Sequence, residues 1–256
     1  MKTETKTALI TGASSGIGEA CARRFARGGW NLILLARREE RIKTLATALA
    51  SEYQVQVHAL SADVRRPQAA GMLLDYLSAH RLEVDLLVNN AGLAVGLEPI
   101  HEGFVDDWER MIDTNIKGLL YITRAISPLM VARKSGHIVN IGSIAGKENY
   151  PAGNVYSATK FAVDGLTKGM RIDLAPHGVK VTQVAPGAVE TEFSLVRFKD
   201  DEKRADLVYQ GFTPLRGEDV AEAVWFAANL PPHVNVNDLL LMPTAQPCAT
   251  IIHRKT

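Results

Sequence analysis

Apolar positions in this chain fall into two alternating kinds of run. Short runs rich in Leu, Ile and Val read "TALIT" (7–11), "NLILLA" (31–36), "VQVHAL" (55–60), "VDLLVNN" (84–90), "GHIVNIGS" (136–143), "VKVTQVAP" (179–186) and "DLLLM" (238–242). Several are apolar on both faces, as strands covered by helices on both sides must be. The longer stretches between them carry apolar residues at helical spacing, which predicts helices over about 16–28, 39–52, 67–80, 105–134, 153–176 and 217–229. Strand and helix alternating in this way predict an α/β fold: one doubly wound, seven-stranded parallel sheet flanked by helices. No repeat, low-complexity stretch or Pro/Gly/Ser-rich linker divides the chain, so residues 1–256 are read as a single domain.

Composition narrows the function classes. The 256 residues carry a formal net charge of +1, which gives no electrostatic footprint for nucleic acid or an acidic membrane surface. No run approaches the ~18–20 apolar residues of a membrane-spanning helix. The opening "MKTETKTALIT" has no apolar stretch long enough for a secretory signal. Cys21 and Cys248 lie far apart without metal spacing, so reduced thiols in a cytoplasmic protein are expected. The histidines form no His-x-x-His-like pair, and no metal is expected.

The first strand runs into "TGASSGIGEACARRF", with Gly12, Gly16 and Gly18 ahead of an amphipathic helix. A helix N-terminus offers free N–H groups and roughly half a positive charge, and glycines let a pyrophosphate approach closely. This turn predicts dinucleotide binding. Dinucleotide folds that take NAD carry an Asp or Glu after the second strand, where it holds the ribose 2′-hydroxyl. Here Ala36 is followed by Arg37 and Arg38. Two cations at a helix start oppose the helix dipole, and two guanidinium forks suit a 2′-phosphate, so NADP(H) is the expected cofactor.

Tyr156 and Lys160 stand four apart on one helix face, with Cβ atoms about 5–6 Å apart. At ~4 Å and an effective dielectric near 20, an ammonium attracts a phenolate by about 4 kcal/mol, roughly three pKa units before desolvation opposes it. A lowered phenol pKa is therefore expected. The bland alternative is a lysine snorkelling past a core tyrosine. Ser143 ends the fifth strand run, where ligands bind in this architecture, and can orient a carbonyl or alkoxide oxygen. Asn115 sits in mid-helix, a poor place for asparagine, and suggests a break that exposes a carbonyl to a water.

The turn spacing T-G-x-x-x-G-x-G, the "NNAG" of residues 89–92 and the Y-x-x-x-K of Tyr156 and Lys160 resemble the short-chain dehydrogenase/reductase family. The resemblance implies a Rossmann fold and hydride exchange between NADP(H) and a carbonyl or alcohol. It implies a catalytic tetrad of Asn115, Ser143, Tyr156 and Lys160. Tyr156 would pass the proton, Ser143 would position the oxygen, and Lys160 would also bind the nicotinamide ribose. It implies cofactor contacts from Gly12, Ser14, Ser15, Gly16, Ile17, Gly18, Arg37, Arg38, Asp63, Val64, Asn90, Ala91, Gly92, Tyr156, Lys160, Pro186, Gly187, Val189 and Thr191, with Asp63 at the adenine. Asn89 is equally read as a residue that pins the sheet.

Longer stretches, among them "VNNAGLAVGLEP" (88–99), "TEFSLVRFK" (191–199) and "LPPHVNVNDLLLMPTAQ" (230–246), resemble the branch of NADP-dependent 3-hydroxy acid dehydrogenases acting on serine and allo-threonine. A 3-hydroxy acid needs a cation for its carboxylate. Arg197 is the candidate, with Lys199 second, and a solvated arginine is the equal alternative. Ser143 and Tyr156 would complete the substrate site, under a charged lid at about 190–215. The resemblance also implies a homotetramer built on helices 105–134 and 153–176, whose apolar faces serve equally well against the sheet. The rival reading is a carbonyl reductase of another branch, for a 3-oxoacyl carrier protein or a steroid or xenobiotic ketone.

Overall fold

The protein, described over residues 5–255, is a computed structural model whose main strands and helices follow the order anticipated from the hydrophobic pattern, with four short elements added between residues 189 and 216. They are β1 (Thr7–Thr11), α1 (Gly16–Arg27), β2 (Asn31–Ala36), α2 (Glu39–Tyr53), β3 (Val57–Ser61), α3 (Gln68–His80), β4 (Leu86–Asn89), α4 (Val105–Ile112), α5 (Leu119–Arg133), β5 (Gly136–Ile141), α6 (Asn154–Leu174), β6 (Val179–Pro186), β7 (Val189–Glu190), α7 (Phe193–Arg197), α8 (Glu202–Leu207), β8 (Leu215–Arg216), α9 (Gly217–Ala228) and β9 (Asp238–Leu241). Seven strands form one parallel sheet in the order β3-β2-β1-β4-β5-β6-β9. The short β7 and β8 pair separately.

Side chains alternate across each strand, and in the inner strands both sets are buried. Ala8, Ile10, Leu32, Leu34, Leu86 and Val88 face one layer, where they meet Phe25 of α1, Ile42 and Leu49 of α2, and Val220 and Val224 of α9. Leu9, Ile33, Leu35, Leu87 and Ile138 face the other, against Leu73 of α3 and Ile122 and Ile126 of α5. This two-sided burial explains why the strands read as continuous apolar runs. A buried polar chain fastens the second layer to the sheet. Asn89 donates to Thr123 on α5 and to Asn140 on β5, and Asn140 donates to Thr167 on α6, each at 2.9 Å. Asn89 thus pins the sheet.

The helix expected over 105–134 is not continuous. Residues Asp113–Gly118 wind as a π-helical turn between α4 and α5. An extra residue per turn leaves the apolar rhythm intact on either side, so the pattern alone reads as one helix. After β3 the chain crosses to the far side of β1 to make β4, and the crevice beyond the carboxyl ends of β1 and β4 is the topological switch point where such sheets bind ligands.

Candidate active site

The turn after β1 begins the crevice. Ser15 is the N-cap of α1 in extended conformation, and its side chain makes no capping bond, so the first N–H groups of α1 are free for a ligand. Gly16 holds φ +55°, a left-handed value that disfavours any side chain. A Cβ on Gly18 would stand 2.5 Å from Asn90 Nδ2 and closer still to the Gly12 carbonyl oxygen. Asn90 locks this turn to β4: its Nδ2 donates to the Thr11 and Gly12 carbonyls at 3.0 and 3.2 Å.

The arginines after β2 lie beside that turn. Arg38 donates through Nε to Ser14 Oγ (3.0 Å), through Nη2 to Ser15 Oγ (2.5 Å) and through Nη1 to Glu192 (2.7 Å). Arg41 reaches the other oxygen of Glu192, also at 2.7 Å. At the end of β3 the Asp63 carboxylate is gripped by Arg65 Nε (2.9 Å) and Nη2 (2.5 Å). Burial pushes the Asp63 carboxyl up, but the Arg65 bonds outweigh it and hold the group below its usual range.

Deeper in the cleft, α6 brings Tyr156 and Lys160 to the ends of β4 and β5. Ser143 caps a short 3-10 turn, its Oγ accepting from Ala145 N at 3.1 Å. Lys160 Nζ donates to the Ile141 carbonyl at 2.9 Å and lies 6.0 Å from the centre of the Tyr156 ring. Asn115, in the π-turn, accepts from Leu93 N (2.9 Å) and donates to Leu93 O (2.9 Å) and Thr159 Oγ1 (3.0 Å). It therefore fastens the loop after β4 to α6.

The lowered phenol expected from the Tyr–Lys spacing is not found in the protein alone. Burial raises the Tyr156 pKa above its ordinary value, the neighbouring Tyr150 adds to the rise, and the Ser143 hydrogen bond and Arg197 only partly oppose it. Desolvation acts on the partner as well and brings Lys160 down to about 8. One helical turn sets the pair's proximity, but the ammonium is turned toward the Ile141 carbonyl instead of the phenol oxygen.

Arg197, at the end of α7, donates to the Tyr150 hydroxyl at 2.8 Å, and its guanidinium carbon lies 5.9 Å from the centre of the Tyr156 ring. Its Nε is buried without a hydrogen-bond partner. Lys199, the second candidate cation, is instead ion-paired with buried Asp107 at 2.8 Å and lies over Phe104. Phe193 meets the Tyr156 ring edge-on at 5.6 Å. The C-terminal segment closes this end: Gln246 accepts from Ala188 N at 2.8 Å, Ala249 N donates to Glu148 at 2.9 Å, and Arg254 donates to the Val208 carbonyl at 3.0 Å. Cys248 lies on this segment, its thiol drawn below the ordinary value by a bond with Thr250, whereas Cys21 is fully buried in α1 and pushed up to about 12. Both cysteines are free.

The proposed tetrad and cofactor residues, except Gly18 and Asn115, line one cavity of about 700 Å³ together with Arg197, whereas Lys199 does not. Gly18 and Asn115 stand behind its wall and brace it. Sequence reasoning missed Arg41, Arg65, Tyr150, Glu192, Phe193 and Gln246. Only Arg41 had a signal: a third arginine within the first turn of α2. The uncapped start of α1, the close-packed glycines and the paired guanidiniums together fit a phosphorylated dinucleotide. Among the described residues, no cluster of three or more His, Cys, Asp or Glu suits a metal ion.

The family model for the short chain dehydrogenase matches residues 6–202. An NADP-dependent 3-hydroxy acid dehydrogenase of Salmonella typhi is 48% identical over 248 residues, covering 96% of this chain and 98% of that protein. Sulfoacetaldehyde reductase 2 of Chromohalobacter salexigens is 49% identical over 239 residues, covering 93% of this chain and 94% of that protein. Among solved structures, the closed form of a serine dehydrogenase complexed with NADP+ superposes with a TM-score of 0.90 at 47% identity, covering 97% of this chain and 100% of that one.

Proposed function

The chain belongs to the short chain dehydrogenase family, and on that premise we propose that it is an NADP(H)-dependent oxidoreductase acting on the C3 hydroxyl or carbonyl of a small 3-hydroxy acid such as serine, allo-threonine or 3-hydroxypropionate. The bound nicotinamide would supply or accept the hydride. Gly12, Ser14, Ser15, Gly16 and Ile17 would hold the pyrophosphate, and Gly18 keeps that turn tight. Arg37 and Arg38 would take the 2′-phosphate. Asp63 and Val64 border the adenine end. Asn90, Ala91, Gly92, Pro186, Gly187, Val189 and Thr191 border the nicotinamide end.

Tyr156 donates the proton to the carbonyl oxygen in reduction and removes it from the alcohol in oxidation. Ser143 orients that oxygen. Lys160 holds positive charge beneath the site, and Asn115 keeps the Leu93 loop in register with α6. The buried, unpartnered Nε of half-buried Arg197, whose guanidinium carbon lies 5.9 Å from the centre of the Tyr156 ring, carries the substrate assignment. A guanidinium with a spare donor beside the proton donor calls for an anionic head close to the reacting carbon.

A second reading of that head is favoured by the 49% identity to a sulfoacetaldehyde reductase. In a 3-hydroxy acid and in sulfoacetaldehyde alike, one carbon separates the reacting carbon from the anionic group, so one Arg197 can serve a carboxylate or a sulfonate. NADP+ reduction with L-serine, D-serine, allo-threonine, 3-hydroxypropionate, 3-hydroxyisobutyrate, isethionate and an uncharged secondary alcohol separates the two. Equal rates with the uncharged alcohol overturn both and favour a general carbonyl reductase.

The segment at about 190–215, with α7 and α8, acts as the substrate lid of a single-domain enzyme. Exposed Leu120, Leu129, Phe161 and Ile172 on α5 and α6 support self-association of these helices into a homotetramer. The cytoplasm is the compartment of this reading; no helix among the described residues is long and apolar enough to cross a membrane. The partners are the cofactor and a small-molecule substrate.

A further inference from the structure

One guanidinium assigned to the 2′-phosphate, that of Arg38, and the neighbouring guanidinium of Arg41 are already held by an anion of the protein's own. Glu192 spans them with one carboxylate oxygen each, 2.7 Å from Arg38 Nη1 and 2.7 Å from Arg41 Nη1. The remaining donors of Arg38 used in the site go to two neutral hydroxyls, Ser14 and Ser15, so Glu192 supplies the only negative charge on that guanidinium among the described residues. Hydrogen bonding with Arg38 and Arg41 holds the Glu192 carboxyl below its usual range, so it is ionised at neutral pH. The three side chains are 41–52% exposed, so water and salt weaken both pairs and a stronger anion can replace them. A phosphate monoester carries close to two negative charges at neutral pH and matches the guanidinium fork in two bonds. The carboxylate and a phosphate cannot share those forks without like-charge repulsion.

We propose that Glu192 is a built-in competitor for the cofactor's 2′-phosphate: it occupies Arg38 and Arg41 until the phosphate displaces it, and so tempers the preference for the phosphorylated dinucleotide. This rests on the NADP(H) reading of the same site. Glu192 immediately precedes α7, which carries Phe193 and Arg197. Its release therefore unties the start of the lid from the cofactor end of the cleft.

Two fragments that differ at the ribose test it without turnover. Adenosine 2′,5′-bisphosphate carries the 2′-phosphate, and 5′-AMP lacks it. Calorimetric titration of the wild-type chain is expected to show tighter binding of the bisphosphate. Glu192→Gln should tighten the bisphosphate a further three- to tenfold, on the order of one or two exposed ion pairs, and leave 5′-AMP within about twofold. Glu192→Ala should behave like Glu192→Gln. Unchanged or weaker bisphosphate binding in both variants overturns the proposal, as does equal tightening of both fragments. A wild-type chain that binds the two fragments equally overturns the cofactor reading itself, and the proposal with it. Wild-type discrimination without an effect in the variants removes only the role of Glu192.

Discussion

Lys160 Nζ donates a hydrogen bond to the Ile141 carbonyl at 2.9 Å while lying 6.0 Å from the centre of the Tyr156 ring. The lysine is thus anchored to the sheet. Its charge is placed by β5, and only its spacing from Tyr156 is placed by α6. Burial raises the Tyr156 pKa above its ordinary 10.0 and lowers that of Lys160 from 10.5 to about 8, so in the protein alone the two values move apart.

Tyr156→Phe removes the proposed proton carrier and keeps the ring that packs against Phe193. Turnover is expected to fall by about 10²–10⁴-fold, the usual worth of a positioned acid–base group. NADPH affinity should stay within about threefold, by fluorescence titration. Near-normal turnover would end the assignment of Tyr156.

The depressed pKa of Lys160 makes a stability prediction. Between about 8 and its ordinary value of 10.5 the folded chain has released a proton that the unfolded chain still holds. Stability rises with pH wherever the unfolded state binds more protons, so Lys160 favours folding increasingly across this window. Lys160→Met has no such titration. The wild-type minus variant unfolding free energy should therefore climb between pH 8 and 10.5. The climb is at most about 3 kcal/mol, at ~1.4 kcal/mol per pKa unit. Taking the difference cancels the other groups that titrate there. Urea unfolding at the two ends of the window measures it, and a flat difference would show that Lys160 is not destabilised by burial.

Arg197→Met should raise KM for a 3-hydroxy acid or a hydroxysulfonate by about 10–100-fold, the loss of a charge-assisted hydrogen bond. An uncharged secondary alcohol should show little change. A uniform loss across charged and uncharged substrates would mean that Arg197 supports the lid and does not grip the substrate.

Asn115→Ala leaves the Leu93 N–H and carbonyl and the Thr159 hydroxyl without their buried partner. The expected cost is about 2–4 kcal/mol of stability by urea unfolding. Activity should fall alongside, because the Leu93 loop borders the cavity. A variant of full stability would contradict the bracing role.

Most of the fold was legible because its strands are buried on two faces, which leaves an unbroken apolar signature in the sequence. β2 and β6 fall at the expected residues, whereas β3 begins two residues late because Val55 lies beyond the ladder. The glycine turn and the Tyr–Lys spacing were legible because each is a local geometric requirement. The Glu192 clamp was not, since its partners lie 151 and 154 residues away and charged side chains on loops have no periodicity. Nor was the raised phenol: spacing reports which groups meet, but how much water they lose depends on Tyr150 and Phe193, which no local pattern marks.

Cys21 and Cys248 sit in such different surroundings that the chain is monofunctional toward thiol reagents. A maleimide dye would attach at Cys248 and spare Cys21, placing one fluorophore beside Ala249 at the mouth of the cavity. The native sequence therefore carries its own reporter position, from which the arrival of a nucleotide or a hydroxy acid can be followed in real time with no cysteine added or deleted.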